Sequence, residues 1–304
     1  MGAMMNLGSI LTAIVTPFDA ELRVDEESFV ALMGHLAAHG SDGFVVAATT
    51  GEASTLTDEE QLGLIELAVR ERPTLAGGQG RAGTQMTIVA GTGANDTRHA
   101  VYLTERATEL GADAHLSVTP YYNKPSERGI VRHYEAIAAA TDKPILLYNI
   151  PGRCVTNISP DLLARLAQIE NIAGVKQANE DELQPIDGLE LYAGDDTLFA
   201  RTLELGGAGG ITVASHIVGD EMRRMVDEPG NRAQIDASLR DVYTTLFLTS
   251  SPTCTKAALN MLGHRVGGLR LPLVEASEDE EAAVRAMLER HGLLEAATAP
   301  ARPA

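Results

Sequence analysis

Asn171-Ile172-Ala173-Gly174-Val175-Lys176 is an apolar run closed by a lysine, and the reading of the whole chain turns on it. The chain has only four lysines. Lys124 lies in an Asn-Lys-Pro loop, Lys143 in an Asp-Lys-Pro turn, and Lys256 in a helical stretch near the end. Only Lys176 ends a short run with the character of a buried strand. Desolvation at such a place disfavours the ammonium and lowers its pKa. A lysine so placed can present the neutral amine that Schiff-base chemistry requires. The competing reading is a buried stem whose charged head reaches solvent.

Outward from this run the pattern is regular. Apolar, strand-like runs at 9–15, 43–47, 86–90, 114–118, 144–148, 172–176, 189–193 and 209–213 alternate with helical spacing. Helices are expected at 26–39, from 58 to about 71, then up to 110 and 140, near 160–168 and 180–186, and up to 205 and 226. Thr57 with Glu60 three residues on is a capping-box signal. Eight strand–helix units predict a parallel sheet closed into a (β/α)₈ TIM barrel. An open doubly wound sheet is the alternative, but no early Gly-x-Gly-x-x-Gly turn supports its nucleotide-binding form. The expected organisation is a barrel over 6–230, a C-terminal helical extension over 231–292 and a frayed tail over 293–304. Residues 72–83 read as a polar, glycine-rich surface loop.

The formal charge of −18, from 42 acidic and 24 basic residues, argues against nucleic acid or an anionic membrane as a partner. No apolar run reaches the length of a membrane span. Cys154 and Cys254 lie far apart and lack metal-ligand spacing, so a reduced, cytoplasmic setting is the expectation. The acidic runs Asp25-Glu26-Glu27 and Asp58-Glu59-Glu60 fall where helices begin, which favours negative side chains.

In a barrel of this kind the active site lies at the C-terminal ends of the strands. Thr49-Thr50-Gly51 follows the second strand and Tyr121-Tyr122 the fourth. Tyr148 ends the fifth and Arg153 follows it. Lys176 ends the sixth, Gly194-Asp195 follow the seventh, and Ile211-Thr212 lie in the eighth. Lys176 is the candidate nucleophile, and Tyr148 can shuttle a proton through a hydroxyl such as that of Thr50 to a second tyrosine. Arg153 offers a fork for a carboxylate, and the Thr-Thr-Gly turn offers hydroxyls and N–H groups to another. Together they point to imine chemistry on a small oxo acid. No metal-ligand spacing appears, so a metal-dependent aldolase is not expected. Each piece also has a structural reading: interface packing for the tyrosines, a surface ion pair for Arg153, helix capping for Asp195-Asp196, and core packing for His115. Gly91-Thr92-Gly93-Ala94-Asn95 lacks the lysine of a P-loop and reads as a tight turn.

Six segments in order carry a family resemblance. They are Thr49-Thr50-Gly51-Glu52, Gly91 to Asn95, Val118 to Pro125, Leu147 to Arg153, Gly174-Val175-Lys176 and Gly194-Asp195-Asp196. With them the chain resembles the pyruvate-dependent class I aldolase superfamily, which includes N-acetylneuraminate lyase and dihydrodipicolinate synthase. Arg153 in Tyr-Asn-Ile-Pro-Gly-Arg and the Tyr-Tyr-Asn-Lys-Pro loop are similar to the synthase branch.

The resemblance implies a Lys176 imine with pyruvate that becomes an enamine and attacks L-aspartate 4-semialdehyde. It implies a relay of Tyr148, Thr50 and Tyr122, with Tyr122 reaching a neighbouring subunit's site. It further implies Thr49 and Thr50 on the pyruvate carboxylate, Arg153 on the acceptor carboxylate, Gly194 and the Ile211 carbonyl beside the reacting centre, no separate cofactor, and a homo-oligomer, as a tetramer of two dimers or a dimer. Ala48 stands where the family more often has glycine, which asks an L-residue to accept glycine's backbone angles. Asp58, Gln61 and His99 stand where lysine-inhibited members tend to carry histidines and a glutamate, which implies weak or absent lysine inhibition. A lyase or dehydratase on a sugar-derived oxo acid is the alternative within the superfamily, and a non-catalytic binding barrel is the alternative outside it.

Overall fold

The computed structural model describes residues 7–73 and 85–294. Most of the 72–83 loop, and the expected tail beyond Leu294, lie outside the described residues. Eight strands form, each four to six residues long: β1 (Ile10–Ala13), β2 (Gly43–Val46), β3 (Thr87–Gly91), β4 (Ala114–Val118), β5 (Ile145–Asn149), β6 (Ile172–Gln177), β7 (Glu190–Ala193) and β8 (Gly209–Thr212). Every neighbouring pair is parallel, and β8 returns to β1, so the sheet closes as a barrel in chain order. The fold is a (β/α)₈ barrel, as the alternation predicts.

The helices wrap it in order: α1 (Glu26–Ala38), α2 (Asp58–Arg70), α3 (Thr97–Glu109), α4 (Glu127–Ala138), the one-turn α5 (Pro151–Cys154), α6 (Pro160–Leu166), α7 (Phe199–Glu204) and α8 (Ser215–Asp227). α9 (Arg232–Leu246), α10 (Thr253–Met261) and α11 (Glu278–Arg290) follow. The capping box at Thr57 and Glu60 is present, and Ser277 with Glu280 forms a second. The acidic runs occupy the first turns of α1, α2 and α11, where the helix dipole favours them. The helix expected at 180–186 is only a 3₁₀ turn, Glu180–Glu182. Pro185 disfavours the α conformation at the residue before it, so the segment stops there.

The two-residue period of a strand sorts the side chains. Leu146 and Tyr148 of β5 join Leu116, Tyr192 and Ile211 in one cluster inside the barrel. Ile145 and Leu147 of the same strand, with Val175 and Leu191, pack outward against the helices. Val175 therefore faces out and its neighbours Gly174 and Lys176 face in. A Cβ on Gly174 would sit 2.6 Å from Leu146 Cδ2, which ties that position to the interior.

Val155, the C-cap of α5, is a β-branched residue held at φ +63° with its side chain 67% exposed. The left-handed region costs an L-residue roughly 1–2 kcal/mol, and asparagine tolerates it better. Val155→Asn is expected to stabilise the fold by about 1 kcal/mol, seen as a rise in Tm of about 2 °C. A melt that stays level or falls in calorimetry would refute the strain at this turn.

Candidate functional site

β6 sets Lys176 between two tyrosines. The register pairs it with Tyr148 on β5 and with Tyr192 on β7. Lys176 is only 5% exposed, so its head does not reach bulk solvent. Its Nζ stands 4.1 Å from the centroid of the Tyr148 ring. Burial lowers its pKa from 10.5 to about 8; Asp196 and Asp195 oppose that shift and Arg153 adds to it. Tyr148 is buried, and desolvation pushes its phenol well above 10, so it stays protonated and able to donate at neutral pH.

The loop after β5 carries Arg153, which is exposed and close enough for its charge to act on both Tyr148 and Lys176. An amide network facing away from the barrel interior fixes this loop to β6. Asn149 Nδ2 donates to Asn157 Oδ1 at 2.9 Å and to Gln177 Oε1 at 3.1 Å, and Asn149 Oδ1 accepts from Ile158 N at 3.0 Å. Asn149 follows Tyr148 and Gln177 follows Lys176, so one network holds the ends of both strands in step.

The turn after β2 brings in Thr49 and Thr50. Thr49 is exposed, while Thr50 is 5% exposed. Left-handed residues flank the turn, Ala47 at φ +53° and Glu52 at φ +55°. The residue that takes glycine-like angles is thus Ala47 rather than Ala48; the strain falls one position earlier than expected because β2 ends at Val46. Thr16 Oγ1, in the loop after β1, donates to Gly51 O at 2.7 Å and steadies the turn.

A cleft of about 320 Å³ opens beside these residues. Thr49, Asp58, Gln61, His99, Tyr121 and Tyr148 line it. His99 Nε2 and Asp58 Oδ1 pair at 2.9 Å, and Gln61 Nε2 donates to the Ala47 and Gly91 carbonyls. Tyr122 is not among the residues lining that cleft; it is 88% exposed at φ +74°. A larger cavity of about 680 Å³ lies beside the segments preceding β5 and β6, bounded by Thr141, Asp142, Glu170 and Asn171. It is at the opposite barrel end from Lys176, the end that carries stability rather than chemistry.

Gly194 packs on the strand that bears Lys176. Its N donates to Gln177 O at 2.7 Å, and a Cβ there would lie 2.8 Å from Gln177 C. Only glycine allows that approach. Ile211 is buried inside the barrel on β8. Asp195 Oδ1 caps the next turn by accepting from Thr197 N, as expected, but Asp196 does not. Its carboxylate is buried and accepts from Val213 N and Ala214 N at the exit of β8. Burial is the main cause that lifts Asp196 to about 7. His115 is fully buried with Nε2 at 2.9 Å from Thr108 Oγ1, in keeping with a packing role. Sequence reasoning missed Tyr192 and the Asn149–Gln177 pair, and gave Asp196 a capping role that the structure assigns to Asp195 alone. For the amides the signal was available: polar residues one step beyond Tyr148 and Lys176 must face the other side of the sheet and need partners there.

A family model described as the dihydrodipicolinate synthetase family matches residues 6–291. A 4-hydroxy-tetrahydrodipicolinate synthase of Heliobacterium modesticaldum is 43% identical over 301 residues, covering 95% of this chain and 97% of the relative. The protein of the same name from Bacillus subtilis (strain 168) is 40% identical, covering 91% and 96%. Among solved structures, dihydrodipicolinate synthase from Bacillus anthracis superposes with a TM-score of 0.86 at 37% identity, covering 94% of this chain and 99% of that one. The chloride-inhibited dihydrodipicolinate synthase from Acinetobacter baumannii, complexed with pyruvate, gives 0.87 at 36% identity, covering 95% and 100%. The chain belongs to the dihydrodipicolinate synthetase family.

Proposed function

We propose that this chain is a Schiff-base lyase, a 4-hydroxy-tetrahydrodipicolinate synthase, that joins pyruvate to L-aspartate 4-semialdehyde on the route to diaminopimelate and lysine. The observation that carries the reading is the inward-facing, buried Lys176 amine, lowered to about 8, against the protonated Tyr148 phenol. At pH 7 a group of pKa 8 is neutral about one time in ten, against fewer than about one in a thousand at the ordinary value. The neutral amine adds to the pyruvate carbonyl and water leaves, giving the imine. Loss of a methyl proton gives the enamine, whose carbon attacks the aldehyde. The acceptor's own amine then displaces Lys176 and closes the ring.

Tyr148 supplies and recovers protons at the carbonyl oxygen, with Thr50 linking it to Tyr122. Thr49 and Thr50 hold the pyruvate carboxylate, and Arg153 holds the carboxylate of the acceptor. Gly194 and the Ile211 carbonyl bound the reacting centre. The imine on Lys176 serves in place of a separate cofactor. Tyr122, so widely exposed here, completes the site of a second copy, so the active form is a homo-oligomer, a dimer or a tetramer of two dimers. We take the barrel to be the unit within 6–230 and the helices after it, up to 292, to be its extension. No helix among the described residues is long and apolar enough to cross a membrane, and we place the enzyme in the cytoplasm without nucleic-acid or membrane partners.

Borohydride reduction with pyruvate should leave a reduced pyruvyl adduct on Lys176, found by intact mass and peptide mapping. The rate of trapping at low pyruvate should rise with pH through about 8 and then level. Arg153→Ala should keep the adduct and lose turnover of aspartate semialdehyde by about a hundredfold or more. An adduct without turnover in the unaltered protein would move the acceptor to a sugar-derived oxo acid. No adduct would make Lys176 structural and end the proposal.

The lowered lysine also bears on stability. Below pH 8 both folded and unfolded chains carry the proton, and folding bears the full cost of burying an ammonium. From about 8 to 10.5 the folded chain alone has released it, so stability rises with pH across that window. Lys176→Met should therefore raise Tm most below pH 8, with the gain vanishing by about 10.5. A gain independent of pH would show that packing, not charge, is its source.

Free lysine should inhibit weakly or not at all. Asp58 is already paired with His99, and the Gln61 amide is held by two carbonyls. A titration giving micromolar inhibition would overturn this.

A further inference from the structure

Glu52 and Lys256 form an ion pair with neither side chain exposed, 1% for the lysine and 0% for the glutamate. Lys256 Nζ donates to Glu52 Oε1 at 2.8 Å and to Gly268 O at 2.6 Å. The other carboxylate oxygen, Oε2, accepts from Arg270 N at 3.1 Å. Both cations flank one ring: Lys256 Nζ lies 4.2 Å and the Arg270 guanidinium 4.5 Å from the Phe18 centroid. Arg270 is itself fixed, donating to Glu60, to Leu22 O and to Thr55 O. Gly267, at φ +67°, lets this segment lie against Phe18, where a Cβ would stand 1.9 Å from Phe18 O.

The place of Glu52 gives the pair its meaning. It follows Thr49-Thr50-Gly51 directly and is itself left-handed. The turn's other ties are Glu52 N to Thr49 O, Ala53 N to Ala48 O, Thr16 Oγ1 to Gly51 O, Gln61 Nε2 to Ala47 O and, at its far end, Arg270 Nη1 to Thr55 O. The carboxylate is the link that runs from the turn to α10, 204 residues away in sequence. A buried pair is poor evidence for net stability, since desolving two charges offsets their attraction. What it supplies is fixed geometry, because a buried carboxylate keeps no alternative partner.

We infer that Glu52 and Lys256 are positioning residues, and that α10 uses this ion pair to hold the Thr49-Thr50 turn in the shape that receives the pyruvate carboxylate. The inference rests on the assignment of that turn under the proposed function. It predicts an effect on one substrate half only. Arg153 and its amide network are anchored separately, through Asn149 and Gln177.

The test uses the full chain. Single variants leave a buried charge unpaired and can fail to fold, so the deciding variant is Glu52→Gln/Lys256→Met, which removes both charges. The pyruvate dependence of borohydride trapping and of turnover is measured, together with amide exchange of the peptide around residues 47–55. The double variant should raise KM for pyruvate about tenfold while the KM for the aldehyde does not move, and any fall in kcat follows from the place of Thr50 in the relay. Exchange of the turn amides should quicken while that of β5 and β6 does not. A folded double variant with unchanged pyruvate KM or unchanged turn exchange overturns the inference, even if its Tm falls, because the pair is then a structural clamp only. The unaltered protein is the control for the parent reading: if it forms no adduct, that reading fails, and the exchange measurement alone decides whether the pair holds the turn.

Discussion

An amine stripped of water at the inner end of β6 is the constraint on which the site depends. Strand alternation puts it there without choice. Val175 must face the helices, because the aliphatic side of β6 is its outer side, and so Lys176 must face in. Once inside, it is 5% exposed and has an aromatic face at 4.1 Å, with no carboxylate in direct contact among the ion pairs of the described residues. Burial then does what a partner would undo: it favours the neutral amine. Lys256 makes the contrast. It too is buried and its pKa is also lowered by burial, but a carboxylate at 2.8 Å favours its charged form. Lys176 is left against an aromatic face, while Lys256 has the Glu52 carboxylate beside it to favour its charged form.

The neighbours of Lys176 follow the same logic. Its register partners are tyrosines on both sides, whose phenols burial keeps protonated. Asp196 comes closest to disturbing the balance, since its charge raises the lysine. Its oxygens are turned to two backbone N–H groups at the exit of β8, and burial lifts its own pKa to about 7. The barrel thus keeps an acid near the amine while weakening its negative charge.

What was legible in the sequence was what repeats or what ends a run. Eight apolar runs with helical spacing between them gave closure, and a lysine ending one of them gave the inner-facing amine. Thr57 with Glu60 gave a helix start because capping is local. The readings that failed needed information from far along the chain or one residue of register. The short turn at Glu180–Glu182 carried helix-like residues, and Pro185 cut it off. The left-handed residue before the Thr-Thr-Gly turn is Ala47, because the strand ends one residue sooner than the apolar run. Lys256 read as one more helical lysine, since its partner is 204 positions away and no period connects them. Asn149 and Gln177 were hidden by standing next to residues with more obvious chemistry.

The backbone strain has a location that the sequence does not announce. Among the described residues six non-glycine positions take positive φ: Leu22, Ala47, Glu52, Tyr122, Lys124 and Val155. All six lie in the loops that follow β1, β2, β4 and β5, at the end of the barrel where Lys176 emerges. The loops at the opposite end use glycine for the same angles, as at Gly8, Gly40, Gly111 and Gly188. A chain free to place glycine at one end and not the other is holding side chains at the mouth that it needs more than relaxed angles. Strained residues persist only where their surroundings over-determine them. Glu52 shows how: its left-handed backbone is held because its carboxylate is gripped by Lys256 and by Arg270 N. Tyr122 has no such side-chain grip among the described residues, and its left-handed backbone carries a side chain 88% exposed at the mouth.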